Sequence, residues 1–425
     1  MHKFLAALCV AASFASIAHA QGGPTAPVSQ ISQVYTLDQA VSAAGGYSPA
    51  TEAASAAVEA ARAGRTVAGL RPNPEAQAMV ENFVGSRQYR GVRSAETTVG
   101  FAFPIELGGK RSARVAVANA QLTRAEIQSA IAAADVRLQV TQLYIEAVAA
   151  ERRATTARDQ ARIANDALQA ARIRVQAGRA SPLEEQRADV ARINAEADVE
   201  QQLRLAEAAL ANLERRIGQP INGALDGTVL NRFDSANAYG PVAVMDTSGT
   251  LAMVAVNADA SIAEAGVRLA RANRIPDLNV GPAIRRLEET NDIAAVFNVS
   301  IPIPVFNNGR AAVAQATAQQ TQADAQRRVA ALDIEQAITD AQAQAANAET
   351  AARTASGPAL AAAEEAARIA RIGYREGKFG QLELLDAERT LAETRKAAIN
   401  ALADYQNARA RLERLTTPAP DGGND

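Results

Sequence analysis

The chain has 425 residues, with 44 Lys and Arg against 46 Asp and Glu, two histidines, one cysteine and no tryptophan. A net charge of −2, with no basic stretch carrying interleaved aromatics, speaks against a nucleic-acid partner. Aromatics are only 4% and the 48% hydrophobic share is largely alanine, which suits thin, closely packed helices better than a thick globular core.

Residues 1–20 read as a cleaved secretory signal. Lys3 supplies the positive start, Phe4 to Ile17 a short apolar run, and Ala18-His19-Ala20 the small-x-small cleavage site before Gln21. The run is too short to span a bilayer. Leu8 precedes Cys9 where a lipidation signal needs a small residue, so no lipid anchor is expected. His2, His19 and Cys9 all lie in this segment, so its removal leaves neither residue type and a net charge of −3. Disulfides, thiolate or imidazole metal sites and a histidine base are then excluded. No carboxylate or lysine stands out as catalytic. The sequence therefore reads as a non-enzyme with no cofactor and no metal site.

The first strand-like run is Glu75 to Val84, with Ala76, Ala78, Val80 and Val84 opposite Gln77 and Glu81. The second is Thr97 to Ile105, with Val99, Phe101, Phe103 and Ile105 opposite Thr98, Gly100 and Ala102. From Lys110 to Ala177 there is no Gly or Pro, which allows a helix about 100 Å long. Its apolar positions Ile127, Ile131, Ala134, Leu138, Ile145 and Val148 keep coiled-coil spacing. A Gly178-centred turn follows. The return helix, Pro182 to Arg216, has Ser181 as N-cap, an apolar set at Leu183, Val190, Ile193 and Ala197, and a stop at Gly218 and Pro220. Two more alternating runs are Asp277 to Ile284 and Asp292 to Ile303. A second long helix starts after Gly309 and is broken or kinked at Gly357-Pro358.

A shift of 199 residues lays the chain on itself. Arg111 falls on Arg310, Arg172-Ile173 on Arg371-Ile372, Gly178 on Gly377, Leu183-Glu184 on Leu382-Glu383, and Leu213-Glu214-Arg215 on Leu412-Glu413-Arg414. The expected organisation is a signal (1–20), a first repeat (21–218), an equatorial linker (219–250), a second repeat (251–416) and a disordered tail (417–425). The fold class is mainly α with a small β part, a duplicated half-structure of long helical hairpins. The strands suit either a sheet between lipid and water or a half-buried soluble sheet. Four cannot close a barrel, since the smallest single-chain examples have eight, so membrane strands would need several chains sharing one barrel.

Three stretches resemble the TolC-like outer-membrane efflux proteins, and within them the cobalt-zinc-cadmium branch. The first is Arg71-Pro-Asn-Pro-Glu75 with Val80-Glu-Asn-Phe83, Ala95-Glu-Thr-Thr98 and Pro104-Ile-Glu-Leu-Gly-Gly-Lys-Arg111. The second is Ala272-Asn-Arg-Ile-Pro-Asp-Leu-Asn-Val280 with Ser300-Ile-Pro-Ile-Pro-Val-Phe306. The third is the pair of turns, Val175 to Glu185 and Tyr374 to Asp386. After Phe306 the chain has Asn307-Asn-Gly-Arg310, where the family carries a somewhat longer stretch.

The resemblance implies a homotrimer in the outer membrane, with four strands per chain making a twelve-stranded barrel continued by a periplasmic α-helical tube. It implies a passive exit duct of a tripartite RND-type system for divalent heavy-metal cations, with a periplasmic adaptor and an inner-membrane exporter as partners and outer-membrane lipid around the barrel. The adaptor would dock at the inner tip, on Gly178, Arg179, Ser181, Pro182, Leu183 and Glu184 and on Gly377, Lys378, Gly380, Leu382, Glu383 and Asp386. Glu185 and Asp386 are candidate gate residues. The other readings are the same channel exporting drugs or other small molecules, and a periplasmic coiled-coil structural or adaptor protein. An adaptor would carry one helical hairpin and a compact β domain; this chain has two hairpins with paired strand runs.

Overall fold

The computed structural model describes residues 34–233 and 247–420. The expected signal lies outside them, as do residues 234–246 of the expected linker and 421–425 of the tail.

Each half runs helix, two strands, long helix, turn, return helix. In the first half these are α1 (Leu37–Tyr47) and α2 (Pro49–Ala68), β1 (Glu75–Glu81), β2 (Glu96–Ile105), α3 (Lys110–Gln176) and α4 (Pro182–Ile217). In the second they are α5 (Leu251–Ala272), β3 (Leu278–Leu287), β4 (Asp292–Ser300), α6 (Arg310–Thr354), α7 (Leu360–Arg375) and α8 (Gln381–Leu415). The helix starts follow capping chemistry. Thr36 and Gln39 form a capping box on α1, Ser48 caps α2 with Pro49 in its first turn, and Ser181 caps α4 ahead of Pro182.

The Gly- and Pro-free stretch forms one uninterrupted helix of 67 residues. Its spaced residues Ile127, Ile145 and Val148 are buried, and Ile131, Ala134 and Leu138 are half-buried. The second long helix breaks where expected. Gly357 adopts φ −103°, ψ −105°, and one wide turn over Ala355–Ala359 joins α6 to α7. Pro358 has no N–H to continue the ladder, and its ring crowds the carbonyl four residues back.

The strands form one antiparallel sheet in the order β1-β2-β3-β4, leaving β1 and β4 as open edges in the single chain. Three strand ends differ from the sequence expectation. β1 stops at Glu81, because Asn82 turns to φ +53°. β3 starts at Leu278 and runs on to Leu287, and Asp277 instead accepts bonds from Leu107 N (3.2 Å) and Lys110 Nζ (2.7 Å). β4 ends at Ser300, where its partner strand runs out at Asn279 and Pro302 and Pro304 cannot donate to a ladder.

Register sorts the side chains. Val99, Phe101, Phe103 and Ile105 share a face with Val280, Ile284, Ile293 and Phe297. Much of that face is open, with Ile293 at 74% and Phe297 at 68% exposure. The other face carries Gly100, Ala102, Gly281 and Ala283 and one polar knot. Arg285 there donates to Glu81 (3.0 Å), Glu96 (2.7 Å) and Thr98 (2.9 Å), tying three strands. Gly100 has no room for a side chain, since a Cβ would lie 2.4 Å from that of Ala283.

Between sheet and helices, the Pro104–Arg111 motif is a structural joint. Gly108 and Gly109 sit at φ +71° and +72°, and Arg114 holds Glu106 together with the Leu70 carbonyl (3.2 Å). The main core lies midway along α3. Tyr144, Val140 and Val148 pack there with Leu213 and Ile217 of α4, Leu402 and Tyr405 of α8, and Leu230 from the segment after α4. The Tyr144 hydroxyl donates to the Tyr35 carbonyl (2.6 Å) and accepts from Asp226 N (2.7 Å). Burial pushes this phenol up to about 12.

Candidate functional site at the hairpin tips

The two helical hairpins reverse at matching turns far from the sheet. Gly178 and Gly377 both lie at φ +70°, a conformation glycine adopts without a Cβ penalty. Around each, two bonds satisfy the last carbonyls of the incoming helix. Gly178 N donates to Val175 O (2.9 Å) and Arg179 N to Arg174 O (2.8 Å). Gly377 N donates to Tyr374 O (3.1 Å) and Lys378 N to Gly373 O (2.8 Å). This is the Schellman helix stop, made twice.

The expected tip residues fall into two groups. Arg179, Ser181, Pro182, Leu183, Lys378, Gly380, Leu382, Glu383 and Asp386 are exposed, as are the two turn glycines. Leu183 and Leu382, equivalent in the two repeats, show 54% and 66% of their surface to solvent. Phe379 is a third open apolar residue, its ring lying across Gly373. Glu184 and Glu185 face inward by contrast. Glu185 pairs with Arg172 at 3.1 Å.

Glu184 links the two hairpins. Its Oε1 accepts from the Tyr374 hydroxyl (2.9 Å) and pairs with Arg174 (3.2 Å), and its backbone carbonyl accepts from Gln381 Nε2 (2.9 Å). The Arg174 guanidinium also stacks over the Tyr374 ring, 4.8 Å from its centre. Burial, and then the bond to Glu184, raise the Tyr374 phenol above its ordinary value. Further along, Arg371 grips the buried Glu388 with two bonds, and Lys396 meets Asp198 at 2.7 Å.

Arg174, Tyr374 and Gln381 were not among the sequence candidates. The repeat gave no cue, because the position equivalent to Tyr374 is Val175. Arg172 and Arg371 are equivalent, but their acidic partners, Glu185 and Glu388, are not. The tie depends on how the hairpins lie against each other, which the repeat alone does not encode.

Among the described residues there is no cluster of histidine, cysteine, aspartate or glutamate that could hold a metal ion. No described helix is long and apolar enough to cross a membrane.

The chain is similar over 89% of its length, and 89% of the relative's, to the cobalt-zinc-cadmium resistance protein CzcC of Cupriavidus metallidurans, at 30% identity over 391 residues. The nickel and cobalt resistance protein CnrC of the same organism is 29% identical over 285 residues, covering 66% of this chain and 67% of that one. Two solved folds match closely. CusC superposes with a TM-score of 0.75 at 18% identity over 89% of this chain and 91% of that one. The open-state MtrE outer-membrane channel of Neisseria gonorrhoeae gives 0.75 at 21% identity over 90% and 89%. The family described as outer membrane efflux protein matches residues 40–219 and 248–417, one match in each repeat, and the chain belongs to that family.

Proposed function

We propose that three copies of this chain form the outer-membrane exit duct of a tripartite efflux system, and that its cargo is divalent heavy-metal cations. The carrying observation is the sheet, with four antiparallel strands, two open edges and an exposed apolar face. A lone sheet of this kind cannot rest in lipid, where its edge N–H and C=O groups would stay unpaired, and in water it leaves an apolar face and two edges open to pairing. Three copies joined β4 to β1 would give twelve antiparallel strands with no edge. The apolar face then meets lipid, and the face with Gly100 and Arg285 lines the bore.

The helices support the same assembly. Val190 and Ile193 of α4, expected as coiled-coil positions, are 57% and 50% exposed in the single chain. α4 packs on α3 through Ala188 and Leu213 instead, leaving the Val190 stripe for a neighbouring copy. At the tip, exposed Leu183, Leu382 and Phe379 offer apolar contacts for a periplasmic adaptor, and the Glu184 tie holds the hairpins together until docking. An inner-membrane exporter supplies the energy, since the sequence carries no nucleotide-binding loop. The resistance proteins for cobalt, zinc and cadmium and for nickel and cobalt support the choice of cargo.

Native mass spectrometry in detergent and conductance in a planar bilayer test the duct. A trimer that conducts ions is expected. A stable monomer released from cells by osmotic shock, with no conductance, would replace the duct with a periplasmic coiled-coil protein.

A further inference from the structure

Both hairpin turns of the sheet lie at one end, because Glu81, Glu96, Leu287 and Asp292 stand side by side across the four strands. The two turns differ in charge. The β1–β2 connection, residues 82–95, contains Arg87, Arg90 and Arg93 and no acidic residue. The β3–β4 turn contains Glu288 and Glu289, and Asp292 follows at the start of β4. All six side chains are exposed. Among the described residues, Glu288 pairs with Arg286 on its own strand (3.1 Å), and no ion pair joins one turn to the other. Their backbones nevertheless touch, with Glu288 N donating to Ala95 O at 2.9 Å. Arg87 sits at φ +57°, a conformation uncommon for a residue other than Gly, Asn or Asp.

We propose that these turns are partners between copies, the acidic turn of one protomer clasping the basic loop of the next and so narrowing the outer mouth. The proposal rests on the three-copy barrel. In that barrel β4 of one copy lies beside β1 of the next, so every acidic turn is flanked by two basic loops. Six loops of alternating sign then circle the rim, and each like-charged pair is separated by an opposite charge. Such complementarity fixes register between subunits. It is exposed, so salt weakens it. Phosphate-bearing lipid of the outer leaflet is the rival occupant; it would account for the arginines and leave the acidic turns without a role.

The only cysteine, Cys9, lies in the expected signal, so introduced cysteines are the sole thiols once that segment is removed and allow clean disulfide capture. The variant Arg90→Cys with Glu289→Cys is oxidised with copper phenanthroline, and its native mass is measured in parallel. Covalent dimers and trimers in the double variant, absent from each single variant, are expected. Charge reversal at Glu288, Glu289 and Asp292 to Lys should raise uptake of a large antibiotic, and reversal of the three arginines to Glu in the same chain should restore the barrier. A trimer that gives only an intrachain disulfide, or none, overturns the clasp and leaves the barrel standing. Loss of trimer in the parent chain overturns the barrel itself. Loss of phosphate-bearing lipid on arginine reversal, with no effect of acidic reversal, assigns the loop to lipid and also overturns the clasp.

Discussion

Glu184 sits where two helical hairpins meet, and one oxygen of its carboxylate serves both Tyr374 and Arg174. A hydrogen bond to a charged group is worth about 1.5–3 kcal/mol. Tyr374→Phe removes that bond and keeps the ring under Arg174. If the tie holds the tip closed, the variant conducts more ions in a planar bilayer than the parent, and Glu184→Gln conducts at least as much. Unchanged conductance in both would reduce the tie to packing. The turns themselves were legible in the sequence, since glycine at a helix end has a clear physical reason. The tie was not, because Tyr374 has only Val175 as its counterpart in the first repeat.

Tyr144 makes a separate residue-scale case. Its buried hydroxyl bridges Tyr35 and Asp226, joining α3 to both flanking segments. Tyr144→Phe removes the 2.6 Å donor to the Tyr35 carbonyl, which still accepts from Asp226 N at 3.1 Å, and should cost about 0.5–1.5 kcal/mol in thermal unfolding. Its phenol is raised to about 12, above the ordinary value of about 10. The unfolded chain therefore releases that proton first. This group leaves stability unchanged below about pH 10 and lowers it as pH rises from there towards about 12. The Phe variant should lack that alkaline loss.

At the scale of elements, helices were read more accurately than strands. A stretch without Gly or Pro fixes both ends of α3, and Pro358 marks the break after α6. Strand ends depend on the partner strand, so β3 runs past Ile284 and β4 stops before Ile303. The apolar alternation was legible, and so was the impossibility of closing a barrel from one chain. The knot at Arg285 was not, because its three acceptors come from two other strands. Arg285→Ala leaves Glu81 and Glu96 directly opposed across β1 and β2. It should destabilise the proposed barrel by about 1–3 kcal/mol, seen as loss of trimer at lower temperature in detergent. The α4 stripe gives the matching test for the tube. Val190→Asp with Ile193→Asp should leave helix content by circular dichroism unchanged and reduce trimer in native mass spectra, because those side chains are exposed in the single chain and would be covered in the proposed trimer.

At the scale of the whole molecule, duplication explains the design. Each half contributes two strands and one hairpin, and in the proposed trimer one chain supplies a third of a closed wall. Alanine along the helices permits close packing. The cargo is the part least legible in the residues, since no described cluster binds metal and a duct need only let an ion pass. The most direct measurement is cell-associated zinc, cobalt, cadmium and nickel in a strain lacking the gene, grown in sublethal metal and compared by mass spectrometry with a complemented strain. A heavy-metal duct predicts raised retention of one or more of these ions, returned to normal by the gene. Unchanged metal together with raised accumulation of a dye or drug would contradict it.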